Sequence, residues 1–205
     1  MNEEQAVLDF FAQTENLPLA LSVADQVDAT RQQLNHAFWT ALRERIAASA
    51  PGWTVVTTED RNAVDCLVGL NLEPAQQQPL YLRPMLEQQS LGNDLRIYHG
   101  LMWSATPAPE LTRLDAVSTL RDTLQVAGFK NNENYLAWQW TPYRPRRRDF
   151  LLHFSTAADA LLEEVTALMN NLLVTHADAL HAANAALRDA PRSAPISLER
   201  LRSKL

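Results

Sequence analysis

The sequence predicts an α+β fold: a mainly antiparallel sheet of about six strands, with two long helices and a shorter middle helix packed on one face. Apolar residues recur at helical spacing from Leu19 through Val23, Val27, Leu34, Phe38, Leu42 and Ile46, and again from Leu161 through Val165, Leu168, Leu172, Leu180 and Leu187. Between these stripes, short runs alternate at period two and are broken by Pro, Gly and Asn. The runs follow one another as hairpins instead of alternating singly with helices, which favours antiparallel pairing.

Residues 3 to 13 read as a short amphipathic helix with Val7, Phe10 and Phe11 on one side, closed before Pro18 because a residue preceding proline is pushed out of the helical region. The first long helix runs from 19 to about 48 and stops at Ala50, Pro51 and Gly52. Strands are expected at Trp53 to Thr58, Val64 to Glu73, Tyr81 to Gln88 and Leu95 to Ala105. The last two flank Gly92, Asn93 and Asp94, a strong hairpin turn signal. A middle helix opens at Glu110 and carries Leu111, Leu114, Val117, Leu120 and Leu124 at spacings of three or four until Gly128. Tyr135 to Tyr143 and Phe150 to Phe154 then read as a second hairpin across the loop Arg144-Pro145-Arg146-Arg147-Arg148. Thr156 and Asp159 resemble a capping pair that starts the final long helix, which extends to about Asp189. Residues 1 to 189 thus form one α+β domain, and 190 to 205 a looser tail.

With 205 residues, 46% of them hydrophobic, the chain can fill a sizeable core. One cysteine, Cys66, leaves no intramolecular disulfide and no thiolate cluster, which suits a reducing compartment. The start MNEEQAVLDF is acidic and does not read as a signal peptide, and no apolar run is long enough to span a membrane. A cytoplasmic protein is expected. The Ala- and Arg-rich composition points to a GC-rich bacterial genome.

A net charge of −6 opposes whole-surface affinity for nucleic acid. The charge is unevenly placed: residues 1 to 30 carry six acids and no Lys or Arg, whereas residues 144 to 148 contain four arginines.

No catalytic motif falls on this frame. Asp65 and Glu73 invite a nuclease reading, yet they lie eight residues apart on one strand, about 26 Å at strand rise. The expected lysine after the second acid is also missing, since Pro74 and Ala75 follow Glu73. The five histidines form no H-E-x-x-H arrangement, and His99 shares the core parity of Leu95, Ile97, Leu101 and Trp103. Cys66 shares parity with Val68 and Leu70, so it reads as buried and inert. No phosphate-binding glycine loop and no G-x-S-x-G elbow occurs. No catalytic residue, metal or cofactor is therefore expected.

The strongest recognition signal is Trp138, Trp140 and Tyr143 followed by Arg144, Arg146, Arg147 and Arg148. Aromatics beside arginines anchor acidic protein partners or stack bases and clamp phosphates. Tyr143 and the four arginines are the candidate partner-binding residues, with a protein as the expected partner and nucleic acid as the alternative. The tail ISLERLRSKL places Leu198, Leu201 and Leu205 opposite Arg200, Arg202 and Lys204, as in an amphipathic docking helix. A spare apolar flank on the first long helix is compatible with a homo-oligomer.

Phe38 and Trp39 in the first long helix, then Trp138, Trp140 and Tyr143 ahead of residues 150 to 154 and the closing helix, give residues 30 to 185 a further character. This span resembles the C-terminal regions of some bacterial PD-(D/E)XK nuclease superfamily proteins. In that family the catalytic acids and lysine lie in an upstream core with no counterpart here, so the resemblance implies an accessory or recognition module without a cutting site. The expected function is a non-enzymatic interaction protein, an accessory subunit or immunity-type binder in a defence or toxin system. The alternative is a nucleic-acid binder or degenerate nuclease that uses the arginine loop.

Overall fold

The computed structural model describes residues 2–58, 68–76, 78–91 and 94–196. The helices and strands, in order, are α1 (Glu3–Ala12), α2 (Leu17–Ser49), β1 (Trp53–Thr58), β2 (Val68–Pro74), β3 (Leu82–Leu91), β4 (Asp94–Trp103), α3 (Asp115–Val126), β5 (Tyr135–Trp140), α4 (Arg148–Thr175) and α5 (Ala177–Ala186). The chain divides into two compact units, Met1–Phe38 and Trp39–Leu205.

The first unit contains α1 and most of α2. Asn2 caps α1 by accepting from the Glu4 amide at 3.4 Å. Asn16 closes the turn that follows, donating to the Phe10 carbonyl and to Gln13. Pro18 falls in the first turn of α2, where a missing amide hydrogen breaks no helical bond.

The second unit is built on a fully antiparallel sheet in the sequential order β1-β2-β3-β4-β5. The expected α+β class and antiparallel sheet are present, with five strands. The expected hairpin of β3 and β4 pairs from Leu91 opposite Asp94 to Leu82 opposite Trp103. Its turn residues Gly92 and Asn93 lie outside the described residues, as do Val64, Asp65, Cys66 and the tail from Ser197.

The sixth strand is the main correction. Residues 150 to 154 are helical, in the first turns of α4, so no second hairpin forms across the arginine segment. A five-residue apolar run does not distinguish a strand from a helix turn. Here Asp149 sits in the first turn of α4, where a negative charge complements the helix dipole, and Phe150 turns inward. Instead of a sixth strand, Lys130 bridges Trp138 across the outer edge of β5, with amide-to-carbonyl bonds of 2.8 and 2.7 Å.

The closing helix differs too. It begins at Arg148, bends at Ala157 (φ −147°, ψ 50°) and breaks at His176 into α4 and α5. Thr156 is not a cap: its hydroxyl donates back to the Leu152 carbonyl at 2.8 Å, satisfying an acceptor just ahead of the bend. A 3₁₀ turn at Leu111–Arg113 precedes α3, and Gly128 ends α3 as expected. With φ +92°, Gly128 donates to Gln125 O while Phe129 donates to Leu124 O, and Phe129 and Leu124 join the same cluster. This is a left-handed C-terminal cap in which glycine avoids a Cβ penalty.

The sheet register sorts the residues onto two faces. Leu82, Leu101, Trp103 and Ala137 share one face and pack with Val117, Leu120 and Leu124 of α3, Leu172 of α4, and Leu180 and Ala183 of α5. Asn184 fastens α5 to the start of β3 by accepting from the Leu82 amide (2.7 Å) and donating to its carbonyl (3.0 Å). Arg45 ties the end of α2 to α4 through Asp159 and Glu163. The opposite face carries a separate cluster of Met85, Tyr98, Met102, Tyr135 and Trp138, with Trp140 and Ile196 against it.

Candidate functional site

The arginine segment is positioned by β4. Beyond the end of β5 the chain stays on that strand: Thr141 N and Oγ1 both donate to the Ile97 carbonyl, and Ile97 N donates to the Tyr143 carbonyl. This brings Arg144 and Arg147 to Asp94, whose Oδ2 accepts from Arg144 Nη1 and Arg147 Nε at 3.1 Å each. Tyr143 donates its hydroxyl to Glu164 at 3.1 Å, and burial together with that carboxylate pushes its pKa up to about 12. Arg146 is half-buried and Arg148 exposed, and neither forms an ion pair among the described residues. The aromatic residues upstream are already engaged. Arg96 stacks over Trp140 at 5.2 Å and Lys130 over Trp138 at 5.6 Å.

The other acids and imidazoles are dispersed. Glu73 pairs with Arg83 at 3.3 Å. His99 is buried between Gln139, 3.0 Å from its Nε2, and the edge-on ring of Phe129. Burial lowers its pKa to about 4, so the ring is neutral at pH 7. His176 marks the break between α4 and α5, while His181 is exposed. With Asp178 and Arg188 of the same region, His181 lines an open groove of about 370 Å³. Among the described residues no three His, Cys, Asp or Glu side chains gather where they could hold one ion. Asp65 and Cys66 lie outside the described residues.

A buried polar cluster was not anticipated. On the opposite sheet face, Glu87 Oε2 accepts from Tyr98 OH at 2.6 Å and from Tyr135 OH at 3.4 Å, and the two phenols lie 3.0 Å apart. Glycines make the room. A Cβ at Gly69 would overlap the Glu87 side chain, and one at Gly100 would run into the Ala137 carbonyl and Trp138 Cα. Desolvation raises the Glu87 pKa and pushes both tyrosines well above their usual values. Glu87 Oε1, Asn71 Oδ1, Arg83 Nε and Trp138 Nε1 are buried on this face with no hydrogen-bond partner among the described residues. The sequence signal was register: with Leu91 opposite Asp94, Glu87 falls opposite Tyr98.

The first unit presents a different surface. Many of its apolar side chains are exposed. Val7, Leu8 and Phe10 of α1 and Leu17, Leu19, Leu21, Val23 and Val27 of α2 are 37–63% exposed. In the stripe read from the sequence, Leu19, Val23 and Val27 lie open, whereas Phe38, Leu42 and Ile46 are fully buried. Leu19, Val23 and Val27 are spaced by four, so they align along one side of the helix.

No protein-family model, no curated protein and no solved structure matches this chain. Among the described residues, no helix is long and apolar enough to cross a membrane.

Proposed function

We propose that this chain is a non-enzymatic bacterial interaction protein of the cytoplasm, an accessory subunit or immunity-type binder in a defence or toxin system, and that the unit Met1–Phe38 faces its partner. The observation that carries this reading is the exposure of eight large apolar side chains on α1 and α2. Contiguous exposed apolar surface marks interaction sites, because water is expelled from it on association. Fully burying one such side chain is worth about 1.5–3 kcal/mol, so these half-exposed residues hold roughly 1 kcal/mol each in reserve. That sum, of order 8 kcal/mol before the cost of association, is enough to drive a specific contact when charge complementarity assists it.

The test is affinity recovery of the tagged full chain from its native cell, comparing the natural protein with a Leu19→Asp/Val23→Asp variant. A stoichiometric partner lost in the variant is expected. Recovery of the same partners by both proteins, or steady turnover of a substrate by the purified chain, would reject the reading.

A second reading places nucleic acid on the arginine segment, favoured by the exposure of Arg148 and by Arg146 beside it. Replacing these two arginines with alanine should then flatten the salt dependence of DNA or RNA binding, and absence of any complex at low salt would end it.

A further inference from the structure

We propose that the groove beside α5 binds a short linear peptide of three or four residues with free termini, its amine at Asp178 and its carboxylate at Arg188. The groove lies wholly within the unit Trp39–Leu205, so the proposal is independent of what Met1–Phe38 does.

One wall is a single stripe of α5. Asp178, His181 and Ala185 follow at intervals of three and four, and Leu187, still right-handed at φ −91° and ψ −2°, carries the stripe on to Arg188. At helical geometry the four positions fall within about 80° of one another around the axis. The other wall includes Trp53 and Pro74, paired where β1 begins and β2 ends. Between them is an opening of about 370 Å³, a size that suits a small ligand. Small residues leave this space, since Ala177 and Ala185 line it where longer side chains would fill it. The walls are also fixed in advance. Gln78 donates to the carbonyls of Leu80 (2.8 Å) and Asn184 (2.9 Å), and Asn184 holds both backbone groups of Leu82. A preformed site loses little freedom when it is filled.

Charge selects the occupant. Among the described residues, neither the Asp178 carboxylate nor the Arg188 guanidinium has an ion-pair partner. The two bracket the groove ten positions apart, about 15 Å at helical rise. A nucleotide would bring several negative charges to one guanidinium and one carboxylate, in a chain of net charge −6, and is disfavoured. A metal ion lacks a third ligand among the described residues. A simple amine or a simple carboxylate would engage one end only. A short peptide engages both: three or four extended residues span about 10–14 Å, and the reach of the two charged side chains covers the rest. An apolar side chain on it would pack against Trp53 and Leu173.

The test uses the full chain and the tripeptide Gly-Leu-Phe in four forms: free, N-acetylated, C-amidated and blocked at both ends. By isothermal titration calorimetry the free form should bind most tightly, each block weakening it by about threefold and both by about tenfold, a gap that shrinks as salt rises. In Asp178→Asn acetylation should make no difference while amidation still does, and in Arg188→Gln the reverse should hold. Ala185→Phe should abolish binding by filling the groove. All three substitutions are at exposed positions, and circular dichroism with thermal unfolding should show that each variant keeps its fold. Equal binding of the free and doubly blocked peptides, binding that survives Ala185→Phe, or no binding of any form at millimolar peptide would overturn the proposal.

Discussion

Replacing Glu87 with glutamine should alter how stability depends on pH. The carboxyl is fully buried, and burial raises its pKa above the ordinary 4.5 although Tyr98, Arg83 and Tyr135 pull the other way. In the unfolded chain the group titrates near 4.5. Between that value and its folded pKa, the native state holds a proton that the unfolded chain has lost. The stability linked to Glu87 is therefore complete below pH 4.5 and declines as pH rises through the window, with a limiting slope of about 1.4 kcal/mol per pH unit. Glutamine carries no titrating proton, so the stability of the natural protein minus that of Glu87→Gln should fall from pH 4.5 upward.

His99, one position along β4 from Tyr98 and on the other sheet face, acts in the opposite sense. Its pKa is lowered by burial from 6.5 to about 4, so the unfolded chain binds the extra proton and stability drops as pH falls through that range. The full effect is about 3 kcal/mol. The two slopes overlap above pH 4.5 and partly cancel. Urea titrations at a series of pH values should resolve them: Glu87→Gln unmasks the rise due to His99, and His99→Gln unmasks the fall due to Glu87. Parallel stability curves for the natural protein and Glu87→Gln would refute the claim that the fold raises the pKa of this carboxyl.

Three further substitutions probe the frame. Gly100→Ala should cost about 3 kcal/mol in urea unfolding, because its Cβ meets the backbone of β5 and no side chain can move aside. Gly128→Ala should lower stability by about 1–2 kcal/mol through the positive φ alone, since open space surrounds that position; thermal unfolding reads this directly. Arg45→Ala should cost under about 1 kcal/mol and lose that small effect in high salt, because its partners Asp159 and Glu163 are 95% and 76% exposed.

Much of the frame was legible because period and turn chemistry agree. The β3–β4 hairpin follows from alternation on both sides of Gly92 and Asn93, and α3 from leucines at helical spacing ended by glycine. The stretch at 150 to 154 failed because a short apolar run has no period of its own. Only the helix behind it, with Leu161, Leu162, Val165, Met169 and Leu172 buried, decides the matter. Glu87 was overlooked for another reason: a carboxyl within a strand reads as solvated, and only its cross-strand neighbour Tyr98 and the bare Cα of Gly69 make burial tolerable. The candidate arginines were legible as a cluster, but their partner Asp94 lies fifty positions away and is found only by strand pairing.

Period also cannot tell which part of an apolar stripe is covered. Val23 and Ile46 carry the same signal on one continuous helix, yet one is 53% exposed and the other fully buried. What separates them in the sequence is charge. The exposed stretch lies among acids whose first cation along the chain is Arg31, paired with Asp28, whereas the covered stretch includes Arg43 and Arg45, and Arg45 reaches acids on α4. Within the sheet unit, Asp94 is held by two arginines, Glu73 by Arg83 and Glu87 by two tyrosines.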